Sequence, residues 1–147
     1  MKILIKTEVE QDYRKVFEGF DESLFMELKP PLLPLKLLRF DGSRKGDEVH
    51  IQLGAGFVKQ RWDALITEDG EKDGELYFID KGIQLPFFLK DWKHHHRVLE
   101  SGEGAIIIDE IYFKSPFFLF DYLLYPILYL QFYARKPVYK RVFKRKP

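Results

Sequence analysis

The fold is decided by residues 117–143, which read FFLFDYLLYPILYLQFYARKPVYKRVF. Pro116 stands directly before this segment and can open a helix, so the segment predicts one long C-terminal helix. Pro126 predicts a kink or break in it, because the proline ring removes one backbone hydrogen bond and clashes with the preceding turn. Pro137 predicts a second kink or break in the same segment. Apolar side chains occupy nearly every side of this helix, so we expect it to contact more than its own sheet.

The chain before this helix changes from helical to two-residue periodicity. Lys2 to Val9 predicts a first strand, and residues 10–20 and 22–28 predict two short helices, the second capped by Asp21. A proline run then ends the second helix, at Pro30, Pro31 and Pro34. Six further strands are predicted at residues 35–41, 47–54, 57–68, 75–81, 92–100 and 105–114. Turns containing glycine and aspartate separate them, which indicates an antiparallel meander.

These elements predict an α+β fold in a single domain covering residues 1–147. A sheet of about seven strands must bury one face, and the C-terminal helix is large and apolar enough to cover it. A curved sheet wrapped around that helix leaves an internal space. The 24 aromatic residues (14 Phe, 8 Tyr and 2 Trp) suggest that this space is lined with rings and holds an apolar small molecule.

Composition excludes several classes of function. The formal net charge of +1 argues against nucleic acid, and the absence of cysteine excludes disulfides and fits a cytoplasmic protein. The short apolar run at the N-terminus is followed at once by charged residues, so no signal peptide is expected. Residues 117–134 approach the length of a membrane span, but Asp121 and Pro126 lie inside them, so spanning is not expected.

A set of short motifs, in this order along the chain, resembles the START-like (SRPBCC) superfamily, and most closely a subgroup of small ligand-binding SRPBCC proteins. The motifs are Gln60-Arg61-Trp62, Pro86-Phe87, Trp92-Lys93-His94-His95-His96, then Gly104, Asp109, Phe113 and Pro116, and finally Phe132, Arg135 and Phe143. The resemblance covers nearly the whole chain. It implies the helix-grip fold, in which a curved antiparallel sheet wraps around a long C-terminal helix. Carriers, sensors and enzymes share this fold, so the resemblance does not decide between them.

The histidine-rich strand contains the strongest candidates for polar chemistry. Alternation places Trp92, His94, His96 and Val98 on one face, and Lys93, His95, Arg97 and Leu99 on the other. His94 and His96 have three interpretations. They could contact a ligand, they could bind a metal with Asp109 or Glu110 as third ligand, or they could hydrogen-bond acids on neighbouring strands. We favour the last, because a metal site needs more ligands than the sequence makes visible, and we predict neither a metal nor another cofactor.

Ten residues are predicted to contact the ligand. They are Trp62, Tyr77, Phe87, Trp92, His94, His96, Ile108, Tyr112, Phe120 and Leu124. Residues that line a pocket and residues that fill a core are both apolar and aromatic, so this set depends on which strand face is the inner one. The sequence leaves that choice open.

The main functional hypothesis is therefore non-covalent binding of a hydrophobic or amphipathic small molecule or lipid, as a carrier or sensor. The first alternative is a cyclase or dehydratase that acts on a polyketide-like substrate with His94 or His96 as general base. The second is a peripheral membrane or protein-interaction module that uses the aromatic helix and the basic residues after it, whose charges could attract anionic headgroups or could complement the helix dipole. No catalytic residue is assigned, and the oligomeric state is left open.

Overall fold

The structure, a computed structural model, describes residues 1–30 and 33–147, so Pro31 lies outside the described residues. In chain order the elements are β1 (Lys2–Val9), α1 (Tyr13–Glu18), α2 (Glu22–Glu27), β2 (Leu35–Phe40), β3 (Glu48–Leu53), β4 (Gln60–Lys72), β5 (Glu75–Gln84), β6 (Asp91–Ser101), β7 (Gly104–Lys114), α3 (Phe118–Tyr133) and α4 (Arg135–Val142). The seven strands form one sheet in the order β1-β7-β6-β5-β4-β3-β2, and every pair is antiparallel. The α+β meander predicted from the sequence is confirmed.

Both short helices begin at aspartate caps. The Asp12 carboxylate accepts hydrogen bonds from the backbone N–H groups of Arg14 and Lys15 at the start of α1. The Asp21 carboxylate accepts one from Leu24 N at 2.9 Å, as the sequence predicted for α2. Each cap satisfies N–H groups that have no partner inside the helix, which fixes where the helix starts.

The longest hairpin differs from the sequence prediction. β4 begins at Gln60 rather than at residue 57 and continues to Lys72, so the turn consists of Asp73 and Gly74 alone. Gly74 has a φ of +69°, which suits glycine. Gly70 was predicted to lie in the turn but lies within the strand, where a Cβ would stand 2.9 Å from the Tyr77 hydroxyl. Glycine at this position makes room for a packed ring, whereas the sequence pattern treats it as a turn signal.

The C-terminal segment forms two helices that meet at Ala134. α3 runs through Pro126 without interruption, so of the kink or break predicted at this residue, the break does not occur. Tyr122, whose carbonyl would have bonded residue 126, is exposed, so water can satisfy that carbonyl. Pro137 lies in the first turn of α4, and its ring would clash with the carbonyl of residue 133, which explains why the break occurs nearby. No helix within residues 1–30 and 33–147 combines the length and apolar character of a membrane-spanning segment.

All helices pack on one face of the sheet, here called the inner face. It carries two apolar clusters. The first joins β1, β6 and β7 to α1, α2 and α4 through Val9, Tyr13, Val16, Leu24, Leu28, Val98, Ala105, Ile107, Tyr139 and Phe143. The second joins the same strands to α3 through Ile3, Ile5, Leu89, Trp92, Ile111, Phe113, Leu128 and Phe132. Because Tyr139 and Phe143 are buried, the basic C-terminal segment is part of the core and not merely a solvated helix end.

Candidate functional site

A cavity of about 290 Å³ lies between the inner face of the sheet and helices α2 and α3. Most of its wall is apolar, formed by Leu24, Leu28, Leu35, Val49, Ile51, Leu53, Trp62, Ala64, Ile66, Phe88, Trp92, Leu124 and Leu128. Polar side chains line it as well. Asp80, His94, His96, Gln131 and Arg135 are here called its polar wall, and Asp21, Lys29 and Ser43 also line the cavity. The volume stands at the lower end of the range for ligand pockets, so the cavity suits a small molecule better than a long-chain lipid.

The strand residues of the polar wall belong to a hydrogen-bonded cluster of side chains from the neighbouring strands β5, β6 and β7. The Asp80 carboxylate accepts hydrogen bonds from His96 Nε2 at 2.8 Å and from Trp92 Nε1 at 3.1 Å. The Asp109 carboxylate accepts one from His94 Nε2 at 2.9 Å. The two imidazole rings face each other with centroids 3.5 Å apart. This cluster, Asp80–His94–His96–Asp109, separates the two apolar cores on the inner face.

Strand register explains why these four residues meet. In the β5–β6 pair Asp80 is opposite His94, and in the β6–β7 pair His96 is opposite Asp109. Residues directly opposite one another in antiparallel strands project to the same face with Cβ atoms about 5 Å apart. The hairpin that joins β6 to β7 turns at Gly102, whose φ of +58° is suited to glycine and sets this register.

Aromatic rings from the helices and from β5 enclose the cluster. Phe78 stacks on His96 with centroids 4.1 Å apart, and Phe132 of α3 packs edge-on against His94 at 5.1 Å. The Arg135 guanidinium lies 4.1 Å from the centre of the Phe132 ring. The histidines are therefore shielded from water on the sheet side and on the α3 side, and open toward the cavity.

Burial and hydrogen bonding set the protonation of the cluster. Burial, with the neighbouring His96 adding to it, lowers the pKa of His94 to about 4, although the hydrogen bond with Asp109 opposes this shift. Burial is the largest single influence and would raise the pKa of Asp80 and of Asp109, but the hydrogen bonds from His96 and His94 together with the nearby positive charges lower both. Burial and the Asp109 charge raise the pKa of Tyr139. At neutral pH His94 is thus a neutral imidazole between two carboxylates.

Five of the ten residues predicted to contact a ligand line the cavity. They are Trp62, Trp92, His94, His96 and Leu124. Trp62 and Trp92 meet edge to face with centroids 4.7 Å apart. The predicted alternation along β6 is correct, since Trp92, His94 and Val98 are buried on the inner face while His95 lies beside Tyr77 on the other.

The other five do not line the cavity. Tyr77, Ile108 and Tyr112 lie on the outer face of the sheet, where the Tyr77 hydroxyl donates to Glu68 and the Tyr112 hydroxyl donates to Glu110. Phe87 and Phe120 are exposed at the surface. The strand residues were misplaced because apolar residues occupy consecutive positions at 76–79, 105–108 and 111–113, so alternation does not reveal the inner face.

The cavity also uses residues that sequence reasoning did not select. Phe78, Asp80 and Arg135 line it. Asp109, which the sequence offered only as one possible partner of the histidines, supports it from behind. The signal that assigns Asp109 to this face is hairpin register. A turn of two residues at Gly102 and Glu103 places position 109 opposite position 96, and so assigns Asp109 to the histidine face.

No protein-family model and no curated protein matches this sequence. Solved structures do match. A protein from Chromobacterium violaceum superposes with a TM-score of 0.72 at 14% identity over 99% of both chains. Truncated norcoclaurine synthase from Thalictrum flavum superposes with a TM-score of 0.68 at 13% identity, over 99% of this chain and 95% of that one. Major latex-like protein 151 from Panax ginseng gives 0.55 at 16% identity, over 90% of this chain and 96% of that one. The chain therefore has the helix-grip fold of START-like (SRPBCC) proteins.

Proposed function

We propose that this protein binds a small amphipathic molecule non-covalently, as a carrier or sensor, in the cavity between the sheet and α3. The observation that supports this most directly is the division of the cavity into a broad apolar wall and one compact polar cluster. Apolar contacts supply affinity roughly in proportion to the area they bury, whereas a few fixed polar groups determine orientation. A ligand with one polar end and a hydrophobic body matches this division.

The polar cluster also indicates which end of the ligand it would receive. Arg135 offers a guanidinium and Gln131 an amide at the cavity surface, while both aspartates already accept hydrogen bonds from the histidines and Trp92. A ligand group that accepts hydrogen bonds, such as a carboxylate, a carbonyl or a phenolate, is therefore favoured over a cationic group. We place this function in the cytoplasm, since the chain contains no cysteine.

Tryptophan fluorescence offers a direct test, because both tryptophans of the chain line the cavity. Native mass spectrometry of freshly purified protein, followed by organic extraction, would first reveal any co-purified compound. Aromatic carboxylates, short fatty acids and phenols would then be titrated while Trp emission is followed. We expect saturable quenching or a spectral shift with one class of amphipathic compound at a stoichiometry of one.

A matched pair of variants would locate the binding. Ala64→Phe adds a ring inside the cavity, whereas Gln52→Phe adds the same ring on the outer face of the neighbouring strand. We expect Ala64→Phe to reduce affinity at least tenfold and Gln52→Phe to leave it unchanged. Equal affinities in both variants, or no binding across the compound set, would contradict the proposal.

Enzymatic use of the same cavity is a second candidate, supported by the acid–base pair of Asp80 and His96 at the cavity wall. Similarity of fold to norcoclaurine synthase is consistent with it. His94 is poorly suited to be the general base at neutral pH, since a pKa of about 4 leaves it a weak base. His96 is the remaining candidate. A cyclase or dehydratase would lose turnover in His96→Asn with ligand affinity largely intact, whereas a carrier would show no turnover to lose.

The exposed side of α3 supports a third candidate, which is docking on an anionic membrane surface. Large apolar side chains project from this helix into solvent, namely Phe117, Phe118, Leu119, Phe120, Tyr122, Leu123, Ile127, Leu130 and Tyr133. A surface of this kind marks a membrane or protein contact. The chain that follows is basic. Its Lys140, Lys144 and Lys146, and Lys114 just before the helix, form no ion pair with a carboxylate in residues 1–30 and 33–147. Because this positive charge is not balanced by carboxylates, anionic lipid is a better partner for the exposed side of α3 than a second copy of the protein with the same basic segment.

Vesicle co-sedimentation would test this docking. We expect the protein to bind vesicles that contain phosphatidylserine, and to lose binding at high salt, in Lys140→Glu/Lys144→Glu and in Leu119→Glu/Leu123→Glu. Truncation is unsuitable, because Tyr139 and Phe143 are buried in the core. The matched control is Lys36→Glu/Lys45→Glu, which changes the same charge away from α3 and α4. A stable dimer in light scattering with no vesicle binding would show instead that a second copy covers α3.

A further inference from the structure

Three side chains with metal-binding atoms converge at the polar wall of the cavity. The donor atoms of Asp80, His94 and His96 lie within 4.8 Å of one another. Asp80 Oδ2 is 2.8 Å from His96 Nε2 and 3.8 Å from His94 Nδ1. Two donors on one first-row divalent cation lie roughly 3.0–3.5 Å apart, since each bond is about 2.1 Å long. These two separations bracket this value, and all three donor atoms lie within 4.8 Å of one another. Side-chain rotations, together with transfer of the His96 proton from Nε2 to Nδ1, would therefore complete a common site.

The hydrogen bond between His94 and Asp109 prepares His94 for this role. Because a carboxylate accepts, the proton of the imidazole resides on Nε2, 2.9 Å from Asp109 Oδ1. Nδ1 then carries the lone pair, on the side of the ring that faces Asp80. Metal-bound histidines commonly donate their second ring nitrogen to a carboxylate in this manner.

The Asp80 carboxylate is held in a similar way. Its Oδ1 accepts a hydrogen bond from Trp92 Nε1 at 3.1 Å, which leaves Oδ2 as the oxygen directed at both histidines. Charge also favours a cation here. Two carboxylates, the buried Asp109 and the largely buried Asp80, face one guanidinium, Arg135, whose field acts on Asp109. A divalent ion would offset the excess negative charge that burial makes costly.

The cavity provides the remaining coordination positions. All three donors line it, so an ion that they hold would face the cavity on its open side. Two imidazoles and one carboxylate with open positions are a donor set that binds Zn²⁺ and Fe²⁺ and leaves room for a water or a ligand oxygen. We propose that Asp80, His94 and His96 bind one first-row divalent cation at the polar wall of the cavity. The small-molecule ligand need not be known to test this.

Metal alone serves as the probe. Protein stripped with a chelator and dialysed would be titrated with Zn²⁺ by calorimetry and with Co²⁺ by visible absorption. We expect one equivalent to bind with a Kd of micromolar or below, and Co²⁺ to give d–d bands of a site with nitrogen and oxygen ligands. Asp80→Asn, which keeps the side-chain shape and an acceptor for Trp92, should weaken binding at least a hundredfold. Asp109→Asn should weaken it about tenfold to a hundredfold.

His95→Ala is the matched control, because His95 stands between the two proposed ligands but projects from the outer face. It should bind metal like the wild-type protein. If the ligand variants fail to fold, ¹⁵N resonances of the wild-type imidazoles decide the matter. Zn²⁺ must then shift Nδ1 of His94 and a ring nitrogen of His96, and leave those of His95 and His50 in place. No binding to wild-type protein, equal binding in Asp80→Asn and His95→Ala, or shifts confined to His50 and His95 would overturn the proposal.

Discussion

His94 Nε2 and Asp109 Oδ1 are 2.9 Å apart, and both side chains are buried where α3 meets α4. Phe132 of α3 packs on the histidine, the charge of Arg135 helps to lower the pKa of Asp109, and Asp109 in turn raises the pKa of Tyr139. One hydrogen bond between neighbouring strands thus lies under the junction of the two C-terminal helices. It connects the polar wall of the cavity to the packing of those helices on the sheet.

Asp109→Ala should destabilise the fold by about 2–4 kcal/mol, since it leaves the buried N–H of His94 without an acceptor. Asp109→Asn retains a carbonyl oxygen at the same position and should cost about half as much. The free energy of unfolding in urea measures both. A wild-type value for Asp109→Ala would show that the hydrogen bond contributes nothing to stability.

Gly104→Ala should also destabilise the protein, for a steric reason. A Cβ at this position would lie 2.4 Å from the carbonyl oxygen of Val9, so the backbones of β1 and β7 would have to separate. Overpacking of this kind costs about 1–3 kcal/mol. Gly102→Asn is the control, because its Cβ would meet open space and asparagine tolerates a φ of +58°. Equal unfolding free energies for the two variants would contradict the steric argument.

Stability in acid should depend on Asp121, which attaches the first turn of α3 to the end of the sheet. Its carboxylate accepts a hydrogen bond from Ser115 N at 2.6 Å, and the bonds with Ser115 lower its pKa below the usual value. A carboxyl group whose pKa is lower in the folded state stabilises that state above its unfolded pKa, and this contribution is lost as the pH falls through its folded pKa.

The unfolding free energy of the wild-type protein should therefore fall more steeply below about pH 4 than that of Asp121→Asn. Glu18→Gln is the matched control, because Glu18 is exposed and makes no side-chain hydrogen bond within residues 1–30 and 33–147. Unfolding curves measured across this pH range give both slopes. Parallel curves for wild type and Asp121→Asn would argue against a stabilising role for the Ser115 contact.

The sequence revealed the fold more fully than the site, and particular residues show why. Two-residue alternation sorted the residues of β6 correctly by face, with His94 and His96 on one side and His95 on the other, but it left open which side is the inner one. Alternation did not sort the residues of β5 and β7 by face, because apolar residues are consecutive in these strands. In these two strands, the face on which a residue lies depends on the pairing register. The hairpin turns determine that register, and sequence periodicity carries no information about it.

The extent of the cavity could not be predicted for a different reason. Whether Trp62 and Leu124 fill a core or border an internal space depends on how far α3 stands from the sheet. That distance results from packing at Leu128 and Phe132 and from the break at Ala134, which are properties of the assembled chain. Aromatic content indicated a hollow interior, but most rings of α3 are in fact at the surface.

The two sides of α3 differ strongly in solvent exposure, and this difference leads to a final prediction. Leu123 is 60% exposed and Leu128 only 3% exposed, since a separation of about 1.4 turns places them on different sides of the same helix. Leu128→Lys buries a charge among Trp92, Phe113 and Phe132, and should cost about 3–5 kcal/mol or prevent folding. Leu123→Lys should change stability by less than about 0.5 kcal/mol, because it removes no internal contact.

Urea unfolding of both variants at two protein concentrations tests this orientation of α3. Small effects of Leu123→Lys at either concentration would show that the outer side of the helix is free in the isolated protein, as membrane docking requires. A loss of stability comparable to that of Leu128→Lys, and dependent on protein concentration, would mean that another copy already covers this side. The exposed aromatic and leucine side chains would then serve self-association, and the docking proposal would fail.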